Sequence, residues 1–310
     1  MSAQVLDGAA IAALIRVEAR LDCERLRARG AKPRLAVVLV GNNPASEIYV
    51  RSKIKACAEV GIESEKLTPE EGISTAELVE VVESLNARED VDGILVQLPL
   101  PKQVETRQVL ERLAPEKDVD GLHPANLGRL LSGRAGLAPC TPAGILQILK
   151  RSRIELAGRE AVVVGRSELV GKPAALLLLA ENATVTLCHS RTRDLAAVCR
   201  RADILVAAMG KPALIGREYL RPGVVVVDVG TNRLSARSDV EKYFPGDAAR
   251  LAEWERRGST LIGDVDPRAS REFAAAYTPV PGGVGPLTVA MLMSNTLTAA
   301  RARRGLAASV

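Results

Sequence analysis

The sequence predicts an α/β protein of two domains, the second a Rossmann-type unit around a mostly parallel sheet. Three observations lead there. Short apolar runs at residues 35–40, 91–97, 161–164, 203–206 and 224–228 alternate with stretches of helical period, the pattern of strands covered on both faces by crossover helices. Ala161-Val-Val-Val-Gly-Arg-Ser-Glu-Leu-Val-Gly171 reads as strand, glycine turn and helix, a shape that aims backbone amides and a helix N-terminus at a pyrophosphate. Finally, 310 residues, 47% of them hydrophobic, suffice for two cores, and the hinge-like Pro139-Cys-Thr-Pro142 marks the boundary between them.

In the first domain, Ile11, Leu14, Ile15, Val17, Leu21 and Leu26 give residues 7–29 a helical period that ends before Gly30. Strand 35–40 leads through Gly41-Asn-Asn-Pro44 into a helix over 45–60, ended by Gly61. On that helix Tyr49 and Lys53 are four apart and share a face, and Ser46 stands near its start. A helix over 76–85 precedes strand 91–97, whose C-terminal end carries Gln97 before Leu98-Pro-Leu-Pro101 breaks it. Ligands of open α/β sheets bind at that edge. The polar turn Pro115-Glu-Lys-Asp-Val-Asp-Gly121 presents Asp118 and Asp120, which also suit plain turn capping. Thr141 can cap the next helix, with Pro142 in its first position, continuing to Lys150.

The second domain opens with the glycine turn. Against the usual G-x-G-x-x-G, Ser167 replaces the second glycine and the last slips to Gly171, with a helix starting near Leu169. Residues 182–188 alternate like a second strand and run into His189-Ser190-Arg191. A carboxylate there would hold the ribose hydroxyls of NAD. Instead Ser190 and Arg191 stand there, with Arg166 in the first turn as a second cation, a set that favours the 2'-phosphate of NADP. The alternative for each arginine is a solvated surface charge. Strand 224–228 ends in Gly230-Thr231-Asn232, and residues 234–262, with the single Trp254 on a polar helix, read as a surface excursion. Thr278-Pro-Val-Pro-Gly-Gly-Val-Gly-Pro286 precedes a last helix over 287–300, and Pro286 suits its first position. The glycines there allow close backbone approach.

Composition narrows the partners. A net charge of +5 suits small anions, but with aromatic residues at 2% few bases could be stacked, which argues against nucleic acid. No apolar run could span a bilayer, and Met1-Ser-Ala-Gln-Val-Leu-Asp7 lacks the form of a signal peptide. Five scattered cysteines without metal-ligand spacing point to a reducing compartment, the cytoplasm, and to no metal site.

Taken together, several segments resemble the bifunctional methylenetetrahydrofolate dehydrogenase/methenyltetrahydrofolate cyclohydrolase family. They are Pro44-Ala-Ser-Glu-Ile-Tyr-Val-Arg-Ser-Lys53, Asp92-Gly-Ile-Leu-Val-Gln-Leu-Pro-Leu-Pro101, Lys117-Asp-Val-Asp-Gly121, Pro139-Cys-Thr-Pro142, Val164-Gly-Arg-Ser-Glu-Leu-Val-Gly-Lys-Pro173, Gly263-Asp-Val265 and the stretch 278–293. The resemblance implies two domains flanking a cleft, residues 1–139 with 280–310 for folate and 140–279 for NADP, in a homodimer. It implies that Tyr49 stacks along the folate, that Lys53 is the catalytic acid or base, that Gln97 tunes it, and that Asp120 binds the pterin. Pro281, Gly282 and Gly283 would line the folate side; Thr141, Gly165, Arg166, Ser167, Ser190, Thr231 and Thr288 would line the NADP side. Thr231 stands where an isoleucine is common, and the excursion is longer than the family pattern.

The implied chemistry suits those residue types. Loss of hydride from a methylene bridge between two nitrogens is driven by a nitrogen lone pair and needs mainly placement. Hydration and ring opening of the methenyl cation need a proton carrier, which a partly neutral lysine beside an amide can be. Two other readings stay open at this point: a dehydrogenase of the amino-acid-dehydrogenase-like fold, which Tyr49, Lys53, Gln97 and Asp120 together oppose, and a cofactor-binding regulator, which the presence of Lys53 opposes.

Overall fold

The computed structural model describes residues 3–306, the side chain of Ala45 excepted; residues 1–2 and 307–310 of the expected folate domain lie outside the described residues. In chain order the elements are β1 (Gln4–Val5), α1 (Gly8–Ala28), β2 (Arg34–Val38), α2 (Pro44–Val60), β3 (Glu63–Leu67), α3 (Thr75–Ala87), β4 (Gly93–Val96), α4 (Thr106–Glu111), α5 (Pro124–Leu131) and α6 (Cys140–Arg151). Then come β5 (Glu160–Val164), α7 (Gly171–Ala180), β6 (Thr184–Cys188), α8 (Leu195–Cys199), β7 (Ile204–Ala207), β8 (Val224–Asp228), β9 (Asn232–Leu234), α9 (Arg237–Tyr243), α10 (Ala248–Arg257), β10 (Thr260–Ile262), α11 (Pro267–Phe273), β11 (Ala274–Tyr277) and α12 (Val284–Arg303). The chain divides into two compact units, one of residues 12–140 with the chain from 288 on, the other of residues up to 11 with 141–287.

The first unit holds a parallel sheet in the order β3-β2-β4. β2 is buried on both faces, and its period of two divides the core. Leu35, Val37 and Leu39 pack with Cys23, Val50, Cys57 and Met293 of α1, α2 and α12. Ala36, Val38 and Val40 pack with Leu78, Val82 and Val109 of α3 and α4. β3 was not apparent in the sequence because Glu63-Ser-Glu-Lys-Leu67 is charged. As an edge strand it tolerates that composition, and Arg34 of β2 pairs with Glu63 at 2.6 Å.

The second unit holds a six-stranded sheet in the order β1-β11-β8-β7-β5-β6, parallel throughout. β5, β7 and β8 are buried centrally, as their Val- and Ile-rich runs predict. Residues 4–5 differ from their expected place with the folate domain: β1 pairs with β11 and forms an edge of this larger sheet. Residues 280–287, also expected with the folate domain, stay with this unit as well.

Three local expectations are corrected. α12 begins at Val284, two residues before Pro286, and α6 begins at Cys140, one before Thr141, so Thr141 lies inside the first turn rather than capping it. Proline's missing N–H costs nothing anywhere in a first turn, which explains both shifts. α7 starts at Gly171 rather than Leu169, because the Ser167 hydroxyl accepts from the Val170 and Gly171 amides at 3.1 and 3.3 Å and holds residues 168–170 in a turn. The excursion is more than surface chain. β9 and β10 pair antiparallel, and Leu234, Val240, Phe244 and Ile262 form a small core with Leu251 and Trp254 packed against it.

Candidate functional site

In the first unit, Lys53 sits buried on α2 and its Nζ donates to Gln97 Oε1 at 2.9 Å. Gln97 follows β4, where its backbone N–H continues the ladder to Val38 O at 2.9 Å. Its Nε2 donates to Leu98 O at 2.6 Å. With the amide nitrogen committed there, the amide oxygen must face the lysine. Tyr49, one helical turn before Lys53, is 49% exposed and presents an open aromatic face.

Asp120 joins this group. Burial pushes the Cys140 thiol well up, Asp120 raises it further by charge and by a hydrogen bond, and Lys53 opposes that rise. The three side chains therefore share one locality. The loops are tied together by Asn295 of α12, whose Nδ2 donates to Val119 O at 2.9 Å and Ala138 O at 2.8 Å. Asp118 works differently from Asp120. It is buried, and its Oδ2 accepts from His123 N and Asn126 Nδ2 at 2.8 and 2.9 Å, so it shapes the loop while Asp120 stays half-buried. Cys140 and Asn295 were not picked out by the sequence reading. Nothing in the residue types marks them, since each acts through carbonyls distant in sequence.

In the second unit the glycine turn is sterically determined. A Cβ on Gly165 (φ +124°) would lie 2.1 Å from Ala208 O, and one on Gly171 would lie 1.9 Å from Gly165 O. The Gly165 N–H donates to Cys188 O at 2.9 Å, which brings the end of β6, and with it Ser190 and Arg191, to the same sheet edge. Arg166, Ser190 and Arg191 are exposed there. Neither arginine makes an ion pair among the described residues, and Arg193, two residues beyond Arg191, is a further exposed cation that the sequence reading passed over. Thr231 is exposed after β8, Thr141 is the second residue of α6 and Thr288 the fifth of α12.

Two buried carboxylates organise the loops at this edge. Asp264 Oδ2 accepts from the Met209 and Gly210 amides at 2.5 and 2.9 Å, and Oδ1 from Lys211 N at 2.8 Å and Asn232 Nδ2 at 2.9 Å. Asp228 accepts from Gly230 N, Asp264 N and Val265 N at 2.9, 2.8 and 2.9 Å. Burial pushes Asp228 up to about 7, with the nearby Asp264 charge adding to it and the backbone donors opposing it. Pro281, Gly282 and Gly283 follow a cis Val280–Pro281 bond. Ala9 N donates to Gly282 O at 2.9 Å, and a Cβ on Gly8 would lie 1.7 Å from Gly283 O, so the start of α1 seats directly on this loop. Among the described residues no His, Cys, Asp and Glu group could hold a metal ion, and no helix is long and apolar enough to cross a membrane.

Comparison with known proteins adds to this geometry. Residues 139–304 match the tetrahydrofolate dehydrogenase/cyclohydrolase NAD(P)-binding domain, and residues 6–120 match the catalytic domain of the same family. The bifunctional protein FolD of Koribacter versatilis is 58% identical over 305 residues, covering 98% of this chain and 99% of that protein. The crystal structure of bifunctional FolD from Campylobacter jejuni has a TM-score of 0.88 and 42% identity, covering 97% of this chain and 99% of that one. The Trypanosoma brucei enzyme, solved with NADP cofactor and inhibitor, has a TM-score of 0.87 and 37% identity, covering 97% and 98%.

Proposed function

The chain belongs to the tetrahydrofolate dehydrogenase/cyclohydrolase family, and from that premise we propose that it oxidises 5,10-methylenetetrahydrofolate to the 5,10-methenyl form with NADP and then hydrolyses the product to 10-formyltetrahydrofolate. The observation that carries the site assignment is the hydrogen bond from buried Lys53 to half-buried Gln97 beside Asp120.

Asp120 accepts from the pterin's amino and ring N–H groups, and Tyr49 supplies a face for stacking. Pro281, Gly282 and Gly283 also contact the folate. NADP, when bound, would supply the hydride acceptor; the residues only have to place the methylene bridge. For the hydrolysis, water adds to the methenyl carbon and gives its proton to the Lys53 amine. As the carbon–N5 bond breaks, the carbinol hydroxyl becomes the formyl carbonyl and its proton leaves to solvent, N5 takes the first proton back from Lys53, and the formyl group stays on N10. Gln97, an uncharged acceptor, directs the amine without pairing its charge.

NADP is the cofactor best supported. Gly165 and Gly171 let strand, turn and helix pack backbone to backbone where any Cβ would strike Ala208 O or Gly165 O, the tight turn that suits a pyrophosphate, and the exposed guanidiniums of Arg166 and Arg191 suit a 2'-phosphate. Thr141, Ser167, Ser190, Thr231 and Thr288 are assigned to the same cofactor. A homodimer is supported by the open β6 edge, where Leu187 and Leu179 of the adjacent α7 are 39% and 58% exposed. Sedimentation at micromolar concentration tests it, a monomer opposing it. Five buried unpaired cysteines suit the cytoplasm.

The decisive experiment is Lys53→Met with both assays. Hydrolysis of the methenyl substrate should fall on the order of 10²–10⁴-fold, while hydride transfer survives in part and the methenyl product accumulates. Hydrolysis near the wild-type rate removes Lys53 from the acid–base role, leaving Asp120 as the next candidate.

A further inference from the structure

We infer that Arg250, on the 234–262 excursion, is a positioning residue that holds the Pro281–Gly283 loop from behind through the Val280 carbonyl. The inference deepens the proposed function, since it rests on that loop contacting folate. It also assigns a role to the excursion.

The excursion's helix α10 delivers the side chain. Asp247 Oδ1 accepts from Arg250 N at 3.1 Å, so Arg250 lies in the capped first turn. Its side chain is only 17% exposed. One face rests on the Phe244 ring at 4.5 Å, within the excursion's own core. Nη1 donates to Thr260 Oγ1 at 3.2 Å and Leu261 O at 3.0 Å, both on β10. Nη2 donates to Val280 O. Glu253, one turn on, balances the charge at 3.8 Å. The planar fork thus joins the excursion to the loop, with its orientation set on one side by β10 and underneath by an aromatic ring.

The loop needs such a hold at this point. Upstream, Thr278 Oγ1 accepts from Asp228 N at 2.8 Å. Downstream, Ala9 N reaches Gly282 O at 2.9 Å. Val280 lies between these anchors and beside a cavity of about 60 Å³, lined in part by Arg250, Phe244, Ile262 and Thr278. Packing behind Val280 is therefore incomplete, and the guanidinium bond supplies the restraint that packing does not. Loss of this bond should let Pro281 drift without unfolding either neighbour. Lysine, whose three donors share one nitrogen, cannot span β10 and Val280 as the planar fork does.

The test uses the full-length enzyme with Arg250→Met, Arg250→Lys and, as a control on excursion stability, Trp254→Phe. Trp254 touches the same small core and donates to Ser235 O at 2.9 Å, away from the loop. In Arg250→Met the KM for methylenetetrahydrofolate and for the methenyl substrate should both rise on the order of tenfold, the worth of one charge-assisted hydrogen bond. NADP affinity should stay within about twofold of wild type. Arg250→Lys should show the same folate defect, smaller in size, even if Arg250→Met proves unstable. Trp254→Phe should lower the melting temperature and leave both KM values alone. Unchanged folate KM in a folded Arg250 variant, or an equal rise in Trp254→Phe, overturns the positioning role while wild-type turnover upholds the folate reading. A wild type inert toward methylenetetrahydrofolate overturns both.

Discussion

Asp264→Asn is the substitution whose outcome the structure determines most closely. The wild-type carboxylate is fully buried and accepts from four donors, two on each oxygen. An ionised carboxylate has the lone pairs to do so; an asparagine has one acceptor oxygen and an NH₂ that can only donate. If the amide oxygen keeps Lys211 N and Asn232, the NH₂ confronts the Met209 and Gly210 amides. Two part-buried N–H groups lose their acceptor, at up to about 1–3 kcal/mol each. The least costly relief is movement of the 209–211 loop, and that loop adjoins the cofactor turn, because Ala208 O lies 2.1 Å from where a Gly165 Cβ would stand. NADP affinity should therefore weaken on the order of 10–10²-fold, the part of that penalty expressed in binding rather than in folding. Hydrolysis of the methenyl substrate assayed without nucleotide depends on Lys53, Gln97 and Asp120 and should keep most of its rate. Cofactor titration and the nucleotide-free assay, run on one preparation with its melting temperature, measure all three effects. Parallel loss of both activities, or unaltered NADP affinity in folded protein, would refute the reasoning.

Arg166→Gln should raise the KM for NADP by roughly 10–10²-fold and leave that for NAD nearly unchanged, from the loss of a phosphate contact of about 1.5–3 kcal/mol; Arg191→Gln should do so more weakly, and wild-type efficiency with NAD equal to that with NADP contradicts the assignment. Tyr49→Ala should raise KM in both folate reactions with little change in nucleotide affinity, and an effect on one reaction alone argues against shared stacking. Asp228, pushed up to about 7 by burial, retains in the folded chain a proton that an unfolded aspartate releases near pH ~4. Its contribution to stability is thus present at low pH and lost as pH rises through about 7. Urea midpoints between pH ~5 and ~8 should fall more steeply for wild type than for Asp228→Asn, and parallel curves would show that Asp228 is ionised throughout.

What was legible in the sequence follows from where each residue's partners lie. Central strands such as β5 and β8 are buried on both faces, so their apolar runs announce them without knowledge of the neighbours. β3 sits at an edge and carries Glu63, Glu65 and Lys66. β11 is Ala274-Ala-Ala-Tyr277, poor in strand formers, and forms because β8 and β1 flank it. The excursion looked like solvated chain because its core is four buried residues among many charges. The same distinction runs through the site. Lys53 and Gln97 occupy positions that local rules single out, a helix face and the C-terminal end of a strand, and the structure joins them at 2.9 Å. Asp264 gathers donors 53 to 55 residues upstream, and Asn295 reaches back 157 and 176 residues to its carbonyls. A buried polar side chain must find acceptors or donors somewhere, but composition and periodicity do not say which loops it will tie. The residues that hold this enzyme's loops in place are therefore those that only the folded chain reveals, while those proposed to act on the substrate stand where helix and strand geometry alone would put them.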